Sequence, residues 1–294
     1  MMKQSAIPFA LAALMLTACS HDENPDTNNP VAATFTAGIN LTRASVSTWD
    51  AGDAIGIYMV ANGGTSTVHA ANTQYTAAAS GTNGTFNAVA VNEIYYPQSG
   101  KVDFISYYPY DGSLSGDTYN VNVATQTTPA EIDLLWAKAD NSGTGYDKGN
   151  TSAVALGFSH KLTKLVLKTT AGAGVNSLTG MTVSIKGMNT TNTFDVKAGT
   201  FGTAAAPAPI TPLTVTDGAQ YEAIILERTV AALGDVTVEF TVDGDVFVWQ
   251  VPAGTAFNSG EEHTWNITIK RTGIDFTGTI TNWTTGTGGT GDAE

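Results

Sequence analysis

The chain predicts an all-β protein built from two tandem β-sandwich domains. Three observations carry this. Apolar and polar residues alternate with a period of two almost throughout, and no long segment shows a helical period. Clusters of Gly, Ser, Asn and Thr interrupt the alternation at 61–67, 80–84, 111–120, 141–152 and 170–178, the spacing of short strands joined by turns. Charged residues are only 13% of the chain, about half the usual share, and Thr and Asn take their place. Those two residues suit the solvent face of a strand.

The first 18 residues do not belong to that pattern. Met1-Met2-Lys3 precedes a largely apolar run from Ala6 to Leu16, then small residues: the layout of an export signal. The run is too short to span a bilayer, which needs about 20 apolar residues. Leu16-Thr17-Ala18-Cys19 contains the single cysteine of 294 residues and resembles the lipobox of bacterial lipoproteins. That resemblance implies acylation of the Cys19 thiol, a chemistry that needs a nucleophilic sulfur. Each buried CH₂ contributes ~0.8 kcal/mol, so two or three chains on Cys19 would anchor the protein firmly. Ser20-His21-Asp22-Glu23 follows directly and resembles the surface-export tag of Bacteroides-type lipoproteins; an ordinary acidic linker reads the same way. From Asn24 to Pro30 there is no apolar side chain to bury, which predicts a flexible tether over 19–31.

Strands then follow in order. Phe35, Ala37, Ile39 and Leu41 share one face of the first. Ile55, Ile57 and Met59 mark the second, and Val102, Phe104 and Tyr108 another that ends at Pro109. Val154, Leu156, Phe158 and Leu162 continue the pattern with His160 on the same parity, followed by Met181 to Ile185 and Tyr221 to Leu226. The clearest element runs from Val236 to Pro252. Asp243-Gly244 is a favoured two-residue hairpin turn, because both central positions need positive φ. The turn sets Phe240 opposite Phe247, Val238 opposite Trp249 and Val236 opposite Val251, an apolar face throughout.

The most polar interior stretch, Ala139 to Thr151, predicts a boundary between an N-terminal domain over 32–148 and a C-terminal one over 149–285. The Gly/Thr-rich tail, 286–294, is expected to be disordered.

Composition also excludes. Without Lys3 the net charge falls to about −14, which repels nucleic acid and anionic headgroups. A single cysteine leaves no disulfide within the chain. The four histidines, at 21, 69, 160 and 263, have no metal-ligand spacing, and no nucleotide-binding or nucleophile-elbow motif occurs. No cofactor, metal or catalytic residue is therefore expected. His160 reads as a hydrogen-bonded core histidine. Asp50 and Asp53 read as a turn whose carboxylates accept backbone N–H bonds. Tyr95, Tyr96, Tyr107, Tyr108 and Tyr110 could stack on sugars, although in strands such residues are more often core or cross-strand pairs.

The order of several short motifs resembles the fimbrillin family, the type V pilins and pilin-like lipoproteins of Bacteroides-type bacteria. After the lipobox come Phe35-x-Ala37-x-Ile39, Thr42-Arg43-Ala44, Trp49-Asp50-Ala51-Gly52-Asp53, Tyr95-Tyr96-Pro97, Asp103 to Tyr110, Asp133-Leu134-Leu135, Phe158 to Leu162 and Ile280-Thr281-Asn282-Trp283. Together they cover residues 1–285. The resemblance implies two sandwiches of transthyretin-like topology and a structural, adhesive subunit of surface fimbriae rather than an enzyme. It implies export to the outer membrane on Cys19 and cleavage by an arginine-specific protease after the first strand. A neighbouring subunit's C-terminal strand would then fill the groove left behind. The partners implied are other fimbrial subunits, outer-membrane lipid through Cys19, and a host or bacterial surface receptor.

Arg43, with Ala44 after it, matches the cut site; the other two arginines, Arg228 and Arg271, lie in or beside strand patterns. An ordinary surface arginine fits the same residues. Ile274, Phe276 and Ile280 line one face of a suitable donor strand, whose burial would contribute roughly 5–9 kcal/mol before ordering costs. The same strand could simply complete its own domain. The competing function is a monomeric surface lipoprotein that binds glycan through tyrosines and Trp283.

Overall fold

A computed structural model describes residues 29–40 and 48–271 in full, and 273–280 and 290–293 as backbone. Eight strands lead the fold: β1 (Phe35–Ile39), β2 (Ala54–Ala61), β3 (Val68–Ala77), β4 (Asn83–Ala88), β5 (Val102–Tyr108), β6 (Thr118–Asn122), β7 (Leu135–Ala139) and β8 (Val154–His160). Among the described residues the helical content is one turn, Pro129–Ile132.

Seven of these strands close into one sheet in the order β1-β4-β3-β2-β5-β7-β8, with β8 returning to β1. The first sandwich is thus sealed at its edge, which removes the unpaired N–H and C=O groups an open sheet would expose. Neighbours within it are antiparallel except β1 and β8, which run parallel with Phe35 opposite Val154 and Ile39 opposite Phe158. β8 lies beyond the boundary expected at residue 148, and the polar stretch before it is the turn from β7. There Gly145 N–H donates to Asp140 O and Tyr146 pairs with Val102. An exposed turn and a domain link share one composition, because both satisfy their backbone with solvent and short polar side chains.

The interior of the closed sheet holds Phe35, Trp49, Ile55, Ile57, Phe104, Leu156 and Phe158. β2 and β5 also use their other face. Tyr58, Val60, Ile105 and Tyr107 belong to a second core with Val183, Ile185, Phe240 and Trp249. This is why Ile-Gly-Ile-Tyr-Met-Val and Val-Asp-Phe-Ile-Ser-Tyr are unbroken buried runs: both faces are covered.

The second core lies between two further sheets. One has six strands in the order 213–216, 220–225, 163–171, 262–270, 273–280 and 290–293. The other is three-stranded, 182–186, 237–242 and 245–250. Between them the Trp249 and Trp265 rings meet with centroids 4.9 Å apart. The hairpin register is the expected one, with Phe240 opposite Phe247 and Val238 opposite Trp249. Val251 N–H bonds to Val236 O at 2.9 Å. β6 leaves the closed sheet and pairs with Asn189–Asp195, and Trp136 of β7 donates its indole N–H to Val196 O at 2.7 Å. The Trp136 contact ties the closed sheet to the strands that follow it.

Candidate functional site

The site is the seat of β1. Its alternation places Phe35 and Ala37 inside, 0% and 1% exposed, with Ile39 half-buried at the rim. The Phe35 ring lies edge-on to Tyr75 and Phe104, centroids 5.0 and 5.1 Å away. Backbone bonds hold β1 on both edges: Gly38 to Phe35 against Asn83 to Phe86 of β4, and the parallel ladder against β8. Asn40 N–H to Phe158 O, at 2.7 Å, and Val154 N–H to Thr34 O, at 2.8 Å, extend that ladder past each end.

Trp49, the first aromatic residue after β1, locks the strand from the side. Its indole N–H donates to Ala37 O at 3.1 Å. Its ring, 1% exposed, is edge-on to Phe86, Tyr108 and Phe158 at 5.1, 5.4 and 5.2 Å. Trp49 stood out in the sequence as part of a motif, but alternation gives no sign that it grips the preceding strand.

Of the residues expected to act, Cys19, Arg43 and Ala44 lie outside the described residues. Arg43 and Ala44 fall between Asn40, which ends the β1 ladder, and Thr48 beside Trp49. Ile274, Phe276 and Ile280 lie on the strand Gly273–Ile280, whose backbone pairs antiparallel with Glu262–Lys270. That places Ile280 opposite His263, Phe276 opposite Ile267 and Ile274 opposite Ile269. One short strand, Thr290–Ala293, lies beyond it. Trp283 lies outside the described residues.

A cavity of about 240 Å³ opens at the C-terminal end of β1, lined by Ile39, Trp49, Asp53, Tyr108, Asp133 and His160. His160 Nδ1 and Asp133 Oδ2 are 2.7 Å apart, so His160 is the hydrogen-bonded core histidine expected. Asp53 Oδ2 accepts Asp50 N–H at 2.7 Å, the expected turn. Tyr108 donates to Asp53 Oδ1 at 3.4 Å. Burial, and then the Asp53 charge, push that phenol far above its usual range, so it stays a neutral donor. These bonds orient the mouth of the sheet. They bring no nucleophile beside a base among the described residues. A second, more open cavity of about 640 Å³ is lined by His69, Asn72, Gln74, Glu93, Tyr95 and Tyr110. Of the tyrosines that could stack on sugars, Tyr96 and Tyr107 are buried, whereas Tyr95 is exposed with its hydroxyl donating to Glu93.

Comparison with known proteins agrees with this fold. A Bacteroides uniformis protein carrying the name fimbrium subunit Fim1C is 38% identical over the whole of both chains. The crystal structure of a protein described as a cell adhesion protein, also from Bacteroides uniformis, superposes with a TM-score of 0.75. It is 35% identical and covers 88% of this chain and 99% of its own. A protein so described from Bacteroides ovatus, 22% identical, has the same fold at a TM-score of 0.69 over 88% of this chain and all of its own. The profile of the Fimbrillin-like family matches residues 42–283, and the chain is a member of that family.

Proposed function

We propose that the chain is a structural and adhesive subunit of cell-surface fimbriae, exported as a lipoprotein acylated on Cys19. Cleavage between Arg43 and Ala44 matures it, and strand exchange through Ile274, Phe276 and Ile280 assembles it. Its partners are other fimbrial subunits, outer-membrane lipid at the precursor stage, and a surface receptor.

The observation that carries this reading is the placement of β1. It is hydrogen-bonded on both edges inside a closed sheet, and the seven residues 41–47 that contain Arg43 and Ala44 follow it almost at once. A cut there leaves β1 joined to the body by noncovalent contacts alone. Its departure would expose the facing edges of β4 and β8 and the slot of Phe35, an edge that a strand from elsewhere can pair with. To serve, the C-terminal strand must leave its own partners, Glu262–Lys270 on one edge and the short strand Thr290–Ala293 on the other.

Mass spectrometry of the protein from its native cell surface tests the reading. A mature N-terminus at Ala44 is expected in fibres and at Cys19 in the anchored precursor. Arg43→Ala should hold the chain at the precursor stage, and Cys19→Ala should leave uncleaved precursor in the inner membrane. Efficient surface display of Cys19→Ala would overturn the lipoprotein part.

The exposed Tyr95 in its polar groove favours a second reading, a monomeric glycan binder. Limited trypsin separates the two. First cleavage at Arg43 followed by ladders supports the fimbrial subunit. First cleavage at Lys138 or Lys148, or a stable monomer after the cut at Arg43, supports the binder.

A further inference from the structure

The groove between β3 and residues 89–95 holds the one exposed aromatic ring among the described residues, Tyr95, 43% exposed. Val91, 94% exposed, lines the same groove. Around these two apolar side chains the wall is polar, with His69, Gln74, Asn92 and Glu93. The volume of about 640 Å³ falls in the roughly 300–1,000 Å³ range of small-ligand sites.

Both walls are shaped by backbone that a plain strand or turn does not need. β2 and β3 pair Ile57 with Thr73 and then Met59 with Ala70, so Ala71 and Asn72 stand opposite Tyr58 alone. This is a β-bulge, with Asn72 at a φ of 45°, and bulges re-aim the side chains of the strand they interrupt. Asn72 is spent on holding it: Oδ1 accepts the Tyr107 hydroxyl at 2.7 Å, and Nδ2–H donates to Asp111 O at 2.8 Å. On the other wall Ala90 has a φ of 59°, a left-handed conformation that alanine rarely adopts, and leads into Val91.

Beyond Val91 the chain is pinned. Ile94 N–H donates to the Tyr75 hydroxyl at 2.9 Å, Ala33 N–H to Ile94 O at 2.8 Å and Tyr96 N–H to Val31 O at 2.9 Å. Two of these bonds come from the segment ahead of β1, so the site is complete in the uncleaved chain. With Ile94 and Tyr96 buried, alternation leaves Glu93 and Tyr95 together outside. The Tyr95 hydroxyl donates to Glu93 Oε2, which steadies the ring and leaves Oε1 without a partner among the described residues. The Gln74 and Asn92 amides also have no side-chain bond among the described residues.

The ligand follows from these groups. The C–H face of a sugar ring carries partial positive charge and stacks on the negative face of a phenol ring. A carboxylate oxygen accepts a sugar hydroxyl, and amides both donate to and accept from its neighbours. An anionic sugar is disfavoured, because no described lysine or arginine lines the groove, Glu93 stands beside the ring and the chain carries a net charge of −13. Glu93 is the only carboxylate among the described lining residues, so the carboxyl pair that cleaves a glycosidic bond is missing there.

We infer that the groove is a binding site for neutral glycans. One hexopyranose stacks on Tyr95, with its hydroxyls on Glu93 Oε1 and on the Gln74 and Asn92 amides. This rests on the adhesive part of the reading above and names the chemistry of the receptor. It holds for a fimbrial subunit and for a monomer alike.

The test passes the full, uncleaved chain over densely immobilised neutral oligosaccharides ending in galactose, mannose or N-acetylglucosamine, with sialylated and sulfated ones alongside. At least one neutral probe should be retained more strongly than every anionic one. Tyr95→Ala should weaken that binding about tenfold or more, and Tyr95→Phe, which keeps the ring, less than about threefold. Glu93→Gln should weaken it about three- to tenfold through loss of the charged acceptor. Melting temperatures should match the parent chain, because both side chains are exposed. Should Tyr95→Ala melt lower, Gln74→Ala reads the groove from its other wall. Neutral binding unmoved by Tyr95→Ala and Gln74→Ala overturns this groove as the site while the adhesive reading stands. Preference for the anionic probes overturns the ligand class. Retention of no probe by the folded parent chain overturns the glycan site, and the fimbrial reading is then judged separately by the mature N-terminus.

Discussion

The indole N–H of Trp49 donates to the carbonyl oxygen of Ala37 at 3.1 Å, across the segment that contains Arg43. The bond joins the residue after that segment to the strand before it, so loss of the indole should loosen β1 more than its neighbours. Trp49→Phe is expected to cost about 0.5–1.5 kcal/mol through the missing donor, and Trp49→Ala about 3–5 kcal/mol through the cavity among Phe86, Tyr108 and Phe158. Urea unfolding reads both. Trypsin should cut at Arg43 faster in each variant, because local opening of β1 then costs less. Unchanged cutting with lowered global stability would show that Trp49 does not hold β1 in particular.

Two glycines at the same φ should respond unequally. Gly244 and Gly187 both have φ near +86, but a Cβ on Gly244 meets nothing within 4 Å, whereas one on Gly187 runs into the backbone oxygen of Asp235. Gly244→Val carries backbone strain alone, about 1–3 kcal/mol. Gly187→Ala carries strain and a clash that no rotamer relieves, about 2–6 kcal/mol. Thermal melts of the two variants should rank accordingly, and an unchanged melting temperature in Gly244→Val would refute the hairpin turn's requirement for glycine.

His263 makes the fold sensitive to mild acid. It is 1% exposed, with Nε2 3.1 Å from Glu261 Oε2, and burial pushes its pKa below the ordinary imidazole value of about 6.5 despite the opposing Glu261 charge. The unfolded chain therefore binds a proton that the folded chain refuses. The contribution of this group is complete above about pH 6.5 and is lost as pH falls through the folded-state pKa. The melting temperature should drop between about pH 7 and pH 5, and His263→Gln should flatten that drop relative to the parent chain. An identical slope in the variant would assign the drop to other groups.

Asp103 separates hydrogen bonding from ion pairing. Its carboxylate has no exposed surface, accepts Asn62 Nδ2–H at 2.8 Å and Gly63 N–H at 3.0 Å, and lies 3.8 Å from the part-exposed Lys138 ammonium. The two short bonds outweigh the long, solvent-screened pair. Asp103→Ala should cost about 1.5–3 kcal/mol for each bond to the charged carboxylate that is lost, and Lys138→Met no more than about 1 kcal/mol. Equal losses in chemical denaturation would show that the charge pair matters as much as the bonds.

Strands that carry their own evidence are legible in the sequence. The turn at Asp243-Gly244 defines the hairpin register from within, and its pairs follow in the structure. Alternation alone puts Phe35 and Ala37 inside β1, and the spacing of Asp50 and Asp53 alone marks their turn. The family, too, was legible in the order of the short motifs. Tertiary structure decided the rest. Nothing in the alternation of Phe35–Ile39 names β8, whose residues lie 119 positions away in sequence, as its parallel partner. Nothing in β6 names Asn189–Asp195. The motif at Trp49 does not say that it grips β1; only the closed sheet brings its N–H to the Ala37 carbonyl. The reason is physical: a period of two states which face of a strand is buried, while the neighbour on each edge is chosen by backbone bonds that are chemically alike at every strand. Only the packing of the two cores selects among them.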